Sequence, residues 1–439
     1  MHSIIRSGVL AILVLTWLVL PLQIVQTLTL DNVEGITLSD GYTHHGLIFI
    51  DGNEDFLAQA ALEGWPGSGT AEDPIVITRF SFASSDHLFE VLNSDLYFEF
   101  KDNQLDGVDG VWCTIYLGNV TNGAIMDCRL WNGAVALHMS RINNCIMSGN
   151  EIFDNTWEAI AIEGNSRGNL IENNYLHHNE KGGISLWEGT SGTKIHNNTI
   201  AENQNVGIEI PTNENAITGN TIFSNEGTGI RLYMGAESNI IQDNTIHDNA
   251  GAGVSMNAIH AEVTDNLLYG NSRGGIELYF AAEQNLISTN IVLNNSRHGV
   301  IISDNSQQNT IENNDFVNNG EGCQAYDEGQ ENHIRSNYWC DWTQPDEDQD
   351  GVVDNPYAIE GEASNADAFP KTTPNLELPE WYTPASPATS STTEPTGGMP
   401  TLPPPIYPPA VITIGGSIAL VASIVLIYAL VRRRSLITQ

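Results

Sequence analysis

Trp187, Tyr233 and Tyr279 each follow an alternating apolar pair in copies of one local pattern, and Glu209, Arg231 and Glu277 stand at the outward position inside that pair. An aromatic ring can cover the apolar C–H face of a sugar while charged flanks bond its hydroxyls. The strip is therefore the candidate glycan-binding face. The same residues have an ordinary use, because exposed strand aromatics stabilise sheets through cross-strand contact, and Glu209 beside Arg231 reads equally as an ion pair between neighbouring strands. Glycoside cleavage would need two opposed carboxylates about 5 to 9.5 Å apart. Glu163, Glu209 and Glu277 are the available acids, but no catalytic signature surrounds them, and on so acidic a chain paired carboxylates arise by chance.

A second constellation is D-x-D-x-D-G-x-x-D, formed by Asp346, Asp348, Asp350, Gly351 and Asp354. Carboxylates at alternate positions with a glycine at the bend can converge on Ca²⁺, the carbonyl of Val352 supplying a backbone ligand. Tyr357 stands where an EF-hand has its bidentate glutamate, so the expectation is a structural calcium loop of another kind, with a solvated acidic loop as the alternative.

The elements that must position these groups come from a repeat. Asn150, Asn174, Asn198, Asn220, Asn244, Asn266, Asn290, Asn314 and Asn337 are separated by 24, 24, 22, 24, 22, 24, 24 and 23 residues. Five places after the first eight stand Asn155, Asn179, Asn203, Asn225, Asn249, Asn271, Asn295 and Asn319. Apolar columns keep the same register: Ile152, Leu176, Ile200 and their successors, Ile171, Ile195, Ile217 and theirs, and alternating pairs such as Ile184/Leu186 and Ile208/Ile210. A period of two means strand. Short strands separated by Asn, Gly, Asp and Ser corners predict an all-β parallel β-helix, in which like side chains stack about 4.8 Å apart and asparagines pass amide hydrogen bonds along the bends. The asparagines are also expected to supply the left-handed backbone of the corners. A leucine-rich repeat would want leucine in most core positions and a helical segment in each copy.

The chain has 439 residues, with 16 Lys plus Arg against 54 Asp plus Glu and a net charge of −38. Nucleic acid, which needs a basic footprint, is excluded as a partner. Arg6 and the apolar run Val9 to Leu20 read as a secretory signal over 1–26. Residues 31–74 are expected to cap the open first coil, with a helix from Asn53 to Glu63 burying Phe56, Leu57, Ala60 and Ala61. Repeats are assigned to 75–339, with irregular early coils in which Asn103/Leu105 and Cys128/Leu130 share the register of Asn150/Ile152. A closing segment follows at 340–371. Residues 372–409, rich in Pro, Thr and Ser, read as a stalk. The 22 uncharged, mostly apolar residues 410–431 before Arg432, Arg433 and Arg434 read as one C-terminal transmembrane helix, with a cytoplasmic tail at 432–439 and the repeat domain outside the cell.

The Asn-Asn-x-Ile starts such as Asn197 to Ile200, the Gly-Ile-x-Ile strands such as Gly207 to Ile210, and the closing Asn337-Tyr338-Trp339 before Asp350-Gly351 and Asn355-Pro356-Tyr357 resemble the NosD-like, right-handed parallel β-helix repeat family, which overlaps the repeats called carbohydrate-binding and sugar-hydrolysis domains. Over roughly residues 47 to 370 the resemblance implies a right-handed coil but no single activity, since such coils host lyases, glycosidases, epimerases, adhesins and proteins of no known activity. It also implies a link to copper, for which Met126, Cys128, His138, Met139, Cys145 and Met147 are the soft candidates, alongside their use as core fillers. Cys128 with Cys145 and Cys323 with Cys340 are conceivable disulfides, with Cys113 left at an inward position. Asn119, Asn197 and Asn294 lie in N-x-S/T sequons. His177 and His247 share an aromatic column with Phe153, Phe223 and Tyr269. The reading is a membrane-anchored surface β-helix that binds extracellular carbohydrate or an envelope component; a structural coat or spacer and a polysaccharide lyase or glycoside hydrolase are the alternatives.

Overall fold

The structure is a computed structural model that describes residues 41–108, 111–320 and 324–382. The expected signal segment, transmembrane span and tail, the expected stalk beyond 382, and Cys323 lie outside the described residues. Among the described residues no helix is long and apolar enough to cross a membrane.

Three parallel sheets of 13, 12 and 12 strands, called here A, B and C, form the walls of a β-helix. One coil contributes Glu151–Phe153 to sheet A, Glu158–Glu163 to sheet B and Leu170–Glu172 to sheet C. Each pairs in register with the next coil: Ile152 with Leu176, Ile160 with Ile184, Ile171 with Ile195. These columns are fully buried and make one continuous core. The early coils follow the same register, Leu105 pairing with Leu130 and Leu130 with Ile152.

The asparagines bracket the short strands and point inward. Asn174 Oδ1 accepts both the backbone N–H and the side-chain NH₂ of Asn150 (2.9 Å each), while Asn174 Nδ2 donates to Met147 O and to Asn198 Oδ1. The column beginning at Asn155 repeats the scheme. A third ladder, at Asn169, Asn215, Asn239, Asn285, Asn309 and Asn332, runs between sheets B and C. It escaped the sequence reading because Thr193 and Ala261 interrupt it. All three close on side-chain acceptors, Asp367, Gln324 and Asp327.

Left-handed backbone falls on the residue before each ladder asparagine, as at Asp154, Asn173, His178 and Asn197 (φ 54 to 56°). The ladder asparagine itself stays out of that region so that its amide can turn inward. Cys128 and Cys145 occupy positions in two different ladders, where each thiol donates to backbone carbonyls, and both are free. That separation rules out the bond between them. Cys113 packs with Val135, Ala161 and Tyr116 in a small cluster apart from the main core. The three sequon asparagines are exposed, Asn197 and Asn294 at corners and Asn119 near the end of the strand Cys113–Val120.

The helix Asn53–Glu63 is present, with Phe56 against Phe98 (ring centroids 5.2 Å). Only Phe56 and Ala60 are buried; Leu57 and Ala61 face outward, because the helix touches the barrel along one edge. Outside sheet A the aromatic column is stacked: Phe153 on His177 at 5.3 Å, Phe223 on His247 at 5.0 Å, His247 on Tyr269 at 4.6 Å.

Replacing Asn220 by Ala removes donors to Ile195 O and Thr218 O and the acceptor of Asn198 N–H. Each buried group left unpaired costs about 1–3 kcal/mol, so urea unfolding should show a loss above about 2 kcal/mol. A change no larger than the ~0.5 kcal/mol of a surface substitution would show that the ladder does not carry this stability.

Candidate functional site

The outer face of sheet B carries one column in register: Ala161, Ser185, Glu209, Arg231, Ser255 and Glu277. Small residues at Ala161 and Ser185 leave the strand surface low. Trp187, just past the strand Gly182–Leu186, and Tyr233, in the irregular part of the strand Ile230–Glu237, stand above it, 42% and 38% exposed. Between these two rings lies a cavity of about 370 Å³ lined by Lys181, Ser185, Leu186, Trp187, Glu209, Pro211 and Tyr233.

Its polar groups are wired together. The Tyr233 hydroxyl donates to Glu209 Oε1, and Ser185 Oγ lies 3.5 Å from Glu209 Oε2. Burial and the Glu209 carboxylate hold the Tyr233 phenol above its ordinary pKa. The expected Glu209–Arg231 ion pair does not form. The tyrosine hydroxyl comes between them, and Arg231 donates instead to Thr228 Oγ1 (3.3 Å) and Tyr233 Oη (3.5 Å). Lys181 closes the other side, its ammonium 3.8 Å from the Trp157 ring centroid and 5.5 Å from that of Trp187. It lies 3.4 Å from Glu158, whose side chain is 1% exposed and whose carboxylate oxygens have no hydrogen-bond partner. Trp157 and Trp112 extend the aromatic run, Trp112 stacking on His138 at 5.0 Å.

The sequence reading did not name Lys181, Glu158, Trp157 or Trp112 as site residues. Trp157 and Lys181 lie just before the alternating pair, where the chain leaves the corner, and nothing in the repeat marks that position. Glu277 and Tyr279, by contrast, lie outside this cavity. Glu277 is buried within its own coil, accepting from the Tyr279 hydroxyl and Gly274 N (3.1 Å), with Arg273 at 3.8 Å. Glu163 turns to His138 at 3.5 Å. Of the three acids considered for hydrolysis, Glu209 alone lines the cavity.

In the closing segment, carboxylate oxygens of Asp346, Asp348 and Asp350 come within 4.8 Å of one another. Asp346 Oδ1 is buried without a partner. Gly351 adopts φ +84° at the bend, a conformation costly for other residues. This oxygen-only set fits a hard cation. Asp354 Oδ2 accepts Glu347 N at 2.8 Å, and the bridge beside Val352 is made by Gly351 O and Val353 N. Tyr357 is built into the closing core, stacked on Trp339 at 4.3 Å. The soft candidates do not converge: Cys128, Met139, Cys145 and Met147 are in the core, whereas His138 is on the outer face of sheet B. Burial pushes the Cys128 and Cys145 thiols up to about 12 and about 11, so they stay protonated.

The sequence matches the family described as "Right handed beta helix region" over residues 87–241 and 183–339. No curated protein matches it. Similar solved structures include the A-module of mannuronan C-5 epimerase AlgE6 of Azotobacter vinelandii, at 14% identity and TM-score 0.45, covering 60% of this chain and 81% of that one. The Dettilon tailspike protein is 14% identical, with TM-score 0.45, covering 64% and 61%. The catalytic unit of an alpha-1,3-glucanase from Streptomyces thermodiastaticus is 14% identical, with TM-score 0.42, covering 60% and 58%.

Lys181→Met would leave Glu158 buried and unpaired. Breaking a buried pair costs about 3–5 kcal/mol, and the partial exposure of Lys181 places the expected loss at the lower end. Adding Glu158→Gln should recover most of it in thermal melts; equal melting of the single and double variants would show that the pair is not coupled.

Proposed function

The chain belongs to the right-handed β-helix family, and from that premise we propose that it binds carbohydrate in the cavity between Trp187 and Tyr233. The observation that carries this is the pair of half-exposed rings across a cavity with hydrogen-bonding groups on its sides. Ring faces left in water are available to cover a sugar, while Ser185, Glu209 and Lys181 can bond its hydroxyls. Binding is favoured over two-carboxylate hydrolysis because Glu209 is the one candidate acid in the cavity. The ligand is an extracellular glycan or a glycan of a neighbouring envelope component.

The apolar residues 410–431 and the arginines after them support a single-pass tether with the coil outside the cell. The Asn-Asn-x-Ile starts support a place among NosD-like repeats, without copper, since the soft side chains are dispersed. Phe56 on Phe98 supports the helix Asn53–Glu63 as a cap over the first coils. Asp346, Asp348 and Asp350 would hold a structural Ca²⁺ through carboxylate oxygens, Asp346 Oδ1 supplying the buried donor.

On a glycan array, Trp187→Ala and Tyr233→Ala should each weaken the strongest signal of the purified chain about tenfold, equivalent to 1.4 kcal/mol. Unchanged signals for both variants would remove the aromatic cavity from consideration. For the ion, chelation should lower the melting temperature and Asp346→Asn should abolish the response to added Ca²⁺; a melting curve indifferent to chelator would dismiss it.

A further inference from the structure

The coil that begins at Asn198 is short. Asn174 to Asn198 and Asn220 to Asn244 each span 24 positions, whereas Asn198 to Asn220 spans 22. The strands on either side keep their register, Ile208 pairing with Ile184 and Ile230, and Ile217 with Ile195 and Ile241. Both missing residues therefore come out of the loop between sheets B and C. The coil before it runs Trp187-Glu188-Gly189-Thr190-Ser191, and the coil after it Tyr233-Met234-Gly235-Ala236-Glu237. Between them stands only Pro211-Thr212-Asn213, with Asn213 still bridged to Ser191.

Asn244 to Asn266 has the same deficit, but at Asn198 to Asn220 it lies beside Trp187 and Tyr233 and forms a notch. It contains a second cavity, of about 470 Å³, whose lining includes Arg167, Glu188, Asn213, Glu214 and Gly235. Pro211 lines this cavity and the aromatic one alike. Proline has no N–H, so it cannot make the bond to the preceding coil that Trp187 N makes to Ile162 O (2.7 Å) and Tyr279 N makes to Met256 O (2.8 Å). The ridge between the two cavities is thus low and unsealed.

The two halves differ in chemistry. One offers aromatic faces. The other offers a guanidinium, two carboxylates and the Asn213 amide, whose oxygen accepts Glu237 N at 2.9 Å and whose NH₂ remains to donate. Donors and acceptors of both signs suit a neutral, polyhydroxylated unit better than an anion. We infer that the two cavities form one groove for a linear oligosaccharide, which holds one sugar between Trp187 and Tyr233 and the next across Pro211 in the polar notch. This rests on the carbohydrate reading above and adds to it the ligand class, a glycan of at least two linked sugars, and the contribution of Arg167, Glu188 and Asn213.

The test is calorimetric titration of the full chain with cello-, malto- and chito-oligosaccharides, from the monosaccharide to the hexasaccharide. A disaccharide should bind at least tenfold more tightly than its monosaccharide in one series. Inserting Gly-Thr after Pro211, which restores the 24-residue frame of the neighbouring coils, should fill the notch and abolish that gain while monosaccharide binding persists. Arg167→Ala, an exposed substitution that keeps the coil length, should reduce the gain severalfold and guards against misfolding of the insertion. Trp187→Ala should weaken mono- and disaccharide alike. Affinity independent of length, or an insertion variant with native melting and an undiminished gain, overturns the groove but leaves the aromatic cavity standing. Absence of binding by every series overturns the carbohydrate reading and the groove together.

Discussion

A dry solenoid core can turn corners only if the amides at each corner are satisfied without water, and in this chain that requirement falls on asparagine. The side-chain oxygen accepts two bonds from the preceding coil and the NH₂ gives its hydrogens to that coil's carbonyl and to the following amide. A carboxylate could not donate and an aliphatic residue could do neither, so an amide is favoured, and asparagine fills the ladders except at positions such as Cys128, Cys145, Thr193 and Ala261. At the last coil nothing follows to be donated to, and there acceptors suffice: Asp367, Gln324 and Asp327 take the final bonds.

Because the ladders hold the strands, the loops between sheets B and C are free to vary in length and composition. Removal of two residues between Asn198 and Asn220 shifts no strand register; it only lowers the wall. The candidate site lies at this low point, where Trp187 and Tyr233 face each other across Pro211. A site on such a rigid frame needs little ordering on binding, which favours affinity.

Electrostatics at the site run against the balance of the whole. The chain carries a net charge of −38, yet Lys181 is drawn down to the buried Glu158 and against Trp157, and Arg231 is tied to Thr228 and Tyr233. These cations are spent on neighbours, so the cavity does not present a bare positive charge. That matches the mixed donors and acceptors of the adjoining notch.

Periodicity alone determined the strands, the three-sided coil, two of the three amide ladders and the outward column from Ser185 to Glu277, because stacking identical side chains makes equal spacing in sequence equal position in space. It also held two intervals of 22, Asn198 to Asn220 and Asn244 to Asn266, without saying which of them would adjoin the two cavities. Tertiary structure alone decided which outward residues meet. Tyr233 places its hydroxyl between Glu209 and Arg231, Glu277 sinks into its own coil, Lys181 reaches Glu158 from the corner, and Cys128 and Cys145 fall in separate ladders. Such outcomes depend on side-chain direction and on the height of neighbouring loops, and a one-dimensional repeat carries neither.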